Sequence, residues 1–450
     1  MVERKVQALV PLLLAWIVAS SAPAAAAGEG NWPQFRGADA AVSHHAHLPE
    51  VWSATENVAW ATDLPGRGWS SPIVWDGRVF VTTVVSLGES EAPEKGLYLG
   101  GDRHEPSPAE HRWKVFALDL ETGQVQWERT VHRGEPPHPI HIKNSYASET
   151  PVTDGERVYA LFGNLGVFAF TLDGEQVWSR HLEPRTIRAG WGTAASPVLH
   201  GGRLFIINDN EEQSELLALD AQSGEELRRA ERDEKSNWAT PFLWENGDRV
   251  ELVTSGTGAV RSYDLDGALL WSLRGMSSIT IPTPSSGQGL LFVGSGFVAD
   301  RHRPLYAVRP GARGDITLEP GETAGAFIAW SNPVAAPYNP SPVYYEGRIY
   351  VLYDRGMVSC FDAQTGAVLY DRQRLPRGSA FTSSPWAAGG RVYFLSEDGV
   401  CYVVRAGDTF ELLQTNPLAD DDMTLATPAV AGDRLLIRTA ARLYCIQDSE

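Results

Sequence analysis

The sequence predicts an all-β fold, an eight-bladed β-propeller of four-stranded antiparallel blades closed by an N-terminal strand in the last blade. Three observations carry this. A Ser-Pro or Thr-Pro step recurs eight times, with the hydroxyl residue at 71, 150, 196, 240, 283, 341, 384 and 427, at intervals of 79, 46, 44, 43, 58, 43 and 43. Each step opens a unit of apolar strands separated by Gly-containing turns, a repeat length that belongs to propellers. Finally, "NVAWATDL" (57–64) is a unit ending that arrives before any unit has begun.

Taken in order, residues 1–27 combine a basic start (Arg4, Lys5), an apolar run from Val6 to Ala19 and the small-residue stretch "SSAPAAAA". That is the tripartite pattern of a secretory signal peptide, with an A-x-A site at Ala25–Ala27. The apolar run is shorter than the ~20 residues that span a membrane, which disfavours an uncleaved anchor. No Cys stands at the cleavage site, so lipidation there is not expected. Residues 28–56 form an N-terminal extension, and 57–450 form the propeller.

Within each unit the Pro precedes a short strand, a Gly turn and a second strand, as in "IVWDGRVFVTT", "VTDGERVYALF" and "VYYEGRIYVLY". Alternating apolar residues on both sides of such a turn mark a hairpin. A third strand, a second turn ("DLETG", "LDG", "DAQSG", "DLDG" or "DAQTG") and a fourth strand follow. The eighth unit, "TPAVAGDRLLIRTAARLYCIQDSE", supplies only three strands, so the early segment around Trp60 completes its sheet. Trp60, Trp127, Trp178, Trp271 and Trp330 occupy outer strands, and three of them lie four residues after a turn Gly (Gly123, Gly174, Gly267). A buried Trp covers about 150 to 250 Å², so each is expected to wedge against a neighbouring blade. Arg228 and Tyr370 take the same place in blades three and six. Two insertions modify blade one, residues 86–112 inside it and 131–149 at its exit; together with residues 28–56 they are expected to cover part of the channel rim, since long loops in compact domains are often functional.

Composition narrows function. With 38 Lys plus Arg against 56 Asp plus Glu, the net charge is −18, a sign that repels nucleic acid and anionic lipid. Three widely spaced cysteines, Cys360, Cys401 and Cys445, do not make a disulfide scaffold and read as small buried apolar side chains. No nucleophile elbow, P-loop or HExxH segment occurs.

"ALDLETGQVQW" (117–127) fits A-x-D-x-x-T-G-x-x-x-W, and "CFDAQTGAVLY" and "ALDAQSGEELR" are looser copies. In these motifs the chain resembles the repeat proteins of the pyrroloquinoline quinone (PQQ) type, whose members include PQQ-dependent dehydrogenases and the non-enzymatic BamB. "WPQFRG" (32–37) followed by "LPGRGWSSP" is similar to exported PQQ-like propellers of planctomycete-type bacteria. The dehydrogenases carry an adjacent Cys-Cys disulfide, absent here, and a calcium-binding Glu and Asn with a catalytic Asp, which find no match here. The resemblance therefore implies the fold more strongly than redox activity.

The loops before each Ser/Thr-Pro step open on one rim of the channel. They carry Trp69, Tyr146, Trp191, Trp238, Tyr338 and Phe381, with Lys143, Asn144, Asn237 and Asn339 beside them. Such a rim suits a flat ring, a sugar or an extended peptide; the alternative is that these aromatics merely pack the channel. Asp354, Asp209 and Asp398 lie in turns expected on the same face, where carboxylates are usually solvated. His44, His45 and His47, and His138 and His141, lack a clear third ligand type, so no metal site is assigned. The expected function is an exported, soluble, non-catalytic scaffold, periplasmic or secreted, binding an envelope protein, a peptide or a small ligand. The alternative is a quinoprotein oxidoreductase of alcohols or sugars holding PQQ with calcium.

Overall fold

The structure, a computed structural model, describes residues 30–89, 91–96, 98–376, 380–418 and 422–448; the signal-peptide reading lies outside the described residues. Eight antiparallel sheets surround a central channel. Their innermost strands are Ile73–Trp75, Val152–Thr153, Val198–His200, Phe242–Glu245, Ser285–Gly287, Val343–Tyr345, Trp386–Ala388 and Ala429–Ala431, for blades one to eight. Each blade then steps outward through three further strands. In blade one these are Arg78–Ser86, His111–Asp119 and Val125–Gly134. One three-residue 3-10 turn, Arg188–Gly190, is the sole helical element among the described residues.

The ring closes as the sequence predicts. Val58–Asp63 pairs antiparallel with Arg442–Ile446, with Trp60 opposite Cys445 and Thr62 opposite Leu443. The Trp60 Nε1–H donates to the Leu120 carbonyl at 2.9 Å, locking blade eight to blade one.

The Trp wedges obey one rule. Trp127, Trp178 and Trp330 donate to the carbonyls of Leu172, Ala221 and Ala363 in the next blade, at 2.9 to 3.0 Å. Each ring lies on that blade's outer-turn glycine: a Cβ built on Gly174 would stand 2.6 Å from Trp127. Only Gly permits this approach, and its positive φ suits the turn as well. Trp271 shares a core cluster with Leu291, Val293 and Val308 of blade five but departs from the hydrogen-bond pattern, because its Nε1–H bonds Glu251 Oε2 of its own blade at 2.6 Å. Blade five has no tight outer turn to receive it. There the chain makes a long excursion, and Gly314–Asp315 pairs in parallel on the outer strand Leu269–Arg274, roofing the Trp271 side chain.

The Ser/Thr-Pro steps also have a physical meaning. Pro immediately precedes each innermost strand, whose inner edge faces the channel except where residues 30–56 pair with blades one and seven, and a residue lacking N–H suits such an edge. The residue before Pro is held extended, and in six of the eight blades its N–H reaches sideways to the next blade's hydroxyl. Ser71 donates to Thr150, Thr150 to Ser196 and Ser196 to Thr240, at 2.9 to 3.0 Å. Thr283 donates to Ser341, Ser341 to Ser384 and Ser384 to Thr427, each at 3.0 Å.

Residues 30–56 do not cover the rim as expected but cross the opposite face of the propeller, because their backbone pairs with the innermost strands of blades one and seven there. Trp32 exchanges backbone bonds with Val74, and Thr153 N donates to Pro33 O. The Arg36 guanidinium reaches Pro342 O of blade six at 2.7 Å. Val42–Ser43 then adds a parallel strand beside Trp386–Ala388, and His47 N donates to Asp433. The "WPQFRG" segment thus lies across the channel, with Phe35 forming part of its floor. Cys360, Cys401 and Cys445 are buried and free, and burial pushes the Cys360 and Cys445 thiols up to about 12.

Candidate functional site at the channel mouth

The channel holds a cavity of about 240 Å³ that opens on the rim of the Ser/Thr-Pro loops. Trp69, Lys143, Asn144, Trp191, Trp238, Tyr338 and Asn339 line it. The other four rim candidates stand elsewhere. Tyr146 faces a second cavity of about 580 Å³, its ring 5.5 Å from His111, with its hydroxyl donating to His138 O. Asn237 turns inward to donate to Asp209. Phe381 is fully buried against Tyr402, 6.0 Å away. Asp354 lies beneath the surface as a loop anchor, accepting bonds from Tyr338 N (3.1 Å), Asn339 N (2.9 Å) and Asn339 Nδ2 (2.7 Å). Burial holds its carboxyl above the usual range, against the pull of those donors.

Other acids behave similarly. Asp209 is clamped by Arg232 at 2.7 and 2.9 Å in a fully buried bidentate pair. Glu397 accepts from Lys143 Nζ and Thr382 Oγ1, both at 2.7 Å, and from Gly96 N at 2.8 Å. Asp398 meets Lys95 at 3.4 Å. Turn carboxylates that sequence reads as solvated therefore include several that hold rim loops in place.

The insertion 86–112 reaches across the mouth as a strap. Besides Gly96 and Lys95, it sends Tyr98 into the cavity, where the Tyr98 hydroxyl donates to the Asp354 carbonyl and accepts from Phe381 N at 3.0 Å. Lys143 Nζ sits 4.9 Å from the centre of that ring. On the opposite side the Trp191 Nε1–H donates to Asp102 at 2.6 Å. Trp191 in turn lies 5.4 Å from Trp238, tilted by 37°. Tyr98 and His141 are lining residues that sequence reasoning missed.

His141 has the residue type of a general base, yet both ring nitrogens are engaged by backbone. Nδ1 accepts from Lys143 N at 3.1 Å, and Nε2 faces Gly100 O at 2.6 Å. Desolvation also lowers its pKa. Among the described residues no three His, Cys, Asp or Glu side chains converge as a metal would require. The mouth has aromatic walls, and Lys143, Glu397, Asp354 and His141 are bonded to one another or to loop backbone.

A family model described as outer membrane protein assembly factor BamB matches residues 16–257, 166–309 and 322–450. The chain belongs to this family. BamB of Yersinia pestis is 26% identical over 189 residues, which is 37% of this chain and 44% of that protein; the match thus spans under half the length of the curated relative. Among solved structures, BamB from Moraxella catarrhalis superposes with a TM-score of 0.52 at 13% identity, covering 82% of this chain and 98% of its own. Quinohemoprotein alcohol dehydrogenase from Comamonas testosteroni gives 0.61 at 12% identity, covering 95% and 82%. At these identities the likeness shows the fold.

The quinoprotein neighbour prompts a test of fit for PQQ, a flat tricarboxylic acid. The residues at the mouth do not suit it. Lys143 is the one lining Lys or Arg among the described residues, and Glu397 already neutralises it. The Trp191 and Trp238 rings are too steeply tilted to sandwich a plane.

Proposed function

We propose that this chain is an exported, non-catalytic binding scaffold of the cell envelope, periplasmic or secreted, whose aromatic rim holds an extended segment of a partner protein. The observation that carries this reading is the state of the polar groups around the mouth. Lys143, Glu397, Asp354, Asn144 and His141 are spent on one another and on loop backbones, which leaves Trp69, Trp191, Trp238 and Tyr338 as the contact surface. Fixed aromatics with few free charges favour binding over turnover, because chemistry needs a group free to change its proton or its bonds. Membership of an assembly-factor family supports the same reading.

The test is a photo-crosslinking residue in place of Trp191, carried by the full chain in its native envelope. Discrete protein adducts that vanish in a Trp238→Ala background support the proposal. Stoichiometric uptake of PQQ and calcium by the purified protein, with alcohol- or sugar-dependent dye reduction, would replace it with the quinoprotein reading.

A further inference from the structure

Besides the aromatic walls, a ring of eight Ser and Thr residues, one from each blade, lines the cavity. Six of them accept an N–H from the preceding blade. Having accepted, each hydroxyl still owns a proton, and none of the eight donates it to an acceptor among the described residues. The belt is interrupted twice, between Thr240 and Thr283 and between Thr427 and Ser71. Ser71 Oγ is buried without any partner.

Two buried guanidinium groups stand behind this ring, Arg438 at the break between blades eight and one, and Arg36 against blades five and six. Arg36 is 2% exposed and reaches the carbonyls of Thr283 and Pro284 at 3.5 and 3.4 Å and of Pro342 at 2.7 Å. Arg438, also 2% exposed, donates to Ser70 O at 3.0 Å and Ser70 Oγ at 2.6 Å. Neither has an acidic partner, and desolvation alone lowers each to about 9. A buried charge is ordinarily paired, because removing it from water without a counter-charge is costly. The nearby acids do not serve. Glu149, next to Thr150, is held by Thr193 and Gly163, and burial pushes its pKa up. Asp354 is shifted the same way, and Glu397 belongs to Lys143.

We infer that the hydroxyl ring is an oxyanion site, in which converging O–H donors hold a carboxylate, sulfate or phosphate group whose charge compensates Arg36 and Arg438. A chain of net charge −18 otherwise repels anions. Two cations buried behind a circle of free donors make this ring the exception. The inference does not depend on the partner reading: an anion can bind there whether or not the rim holds a protein.

The test uses the fluorescence of the lining tryptophans in the full-length protein, titrated with acetate, sulfate and phosphate at constant ionic strength. Saturable binding of at least one anion is expected. It should weaken tenfold or more in Ser71→Ala/Thr283→Ala, which removes two donors that accept no backbone bond and so leaves the belt intact. Equal melting temperatures for variant and parent without anion establish that folding is unaffected. A short peptide with a free C-terminus and its amidated twin identify the source. Preference for the free acid assigns a chain terminus, and equal indifference to both, with inorganic anions saturating, assigns a free anion. No saturable response to any probe, or the same affinity in the double variant, overturns the inference.

Discussion

At the scale of single residues, the Trp wedges combine burial, one hydrogen bond and a glycine floor. Trp127→Ala should therefore cost about 3 to 5 kcal/mol in urea unfolding, the range for large aromatic truncations; a loss below about 1 kcal/mol would refute the wedge. The Lys143–Glu397 pair invites a different comparison, since its side chains are 10% and 0% exposed. Lys143→Met strands a buried carboxylate and should cost about 3 to 5 kcal/mol, while Lys143→Met with Glu397→Gln should recover part of that loss. Asp354 tests the sign of desolvation. Its pKa is raised on folding, so the native state binds the proton more tightly, and its contribution is greatest below the unfolded pKa and lost as pH rises through the folded one. Relative to the parent, Asp354→Asn should thus gain stability progressively above about pH 4, the ordinary range of Asp. Urea midpoints that keep a constant offset between pH 4 and 8 would contradict this.

Among elements, the repeat was legible because each strand leaves its own mark: a Pro that starts the inner edge, an apolar hairpin, an Asp-Gly or Thr-Gly turn and a Trp four residues on. Trp271 escaped the rule because its receiving turn is replaced by the 309–327 excursion, whose return to Leu269–Arg274 depends on contacts between blades. The mouth was only partly legible. Rim loops are irregular, and neighbouring residues such as Asn237 and Trp238 face opposite ways without a period to announce it. Tyr98 lies in an insertion with no repeat counterpart, so nothing local to it marks it as a channel residue. The strap yields its own prediction. Replacing residues 88–109 with a short Gly-Ser link should preserve the fold and increase acrylamide quenching of Trp191 and Trp238, from which Tyr98 and Asp102 are then removed. Unchanged quenching would show that the strap does not shield the mouth.

For the whole molecule, the two segments that precede the first blade do different work. Val58–Asp63 closes the ring, whereas residues 30–56 cross the far face and put Phe35 and Arg36 under the channel. The channel consequently has aromatics at its mouth, a ring of hydroxyls below them and Phe35 on the far side. A closed circular sheet array also has no free blade edge at its seam, which removes the commonest route to edge-to-edge association. It follows that the two faces are functionally unequal, and this can be measured. A photo-crosslinker at Gln222, exposed in an outer turn on the far face, should capture none of the partners that one at Trp191 captures. The two positions share the same chain, compartment and net charge, so random collision would label both alike. Equal adduct patterns from the two faces would mean that the channel mouth does not direct binding.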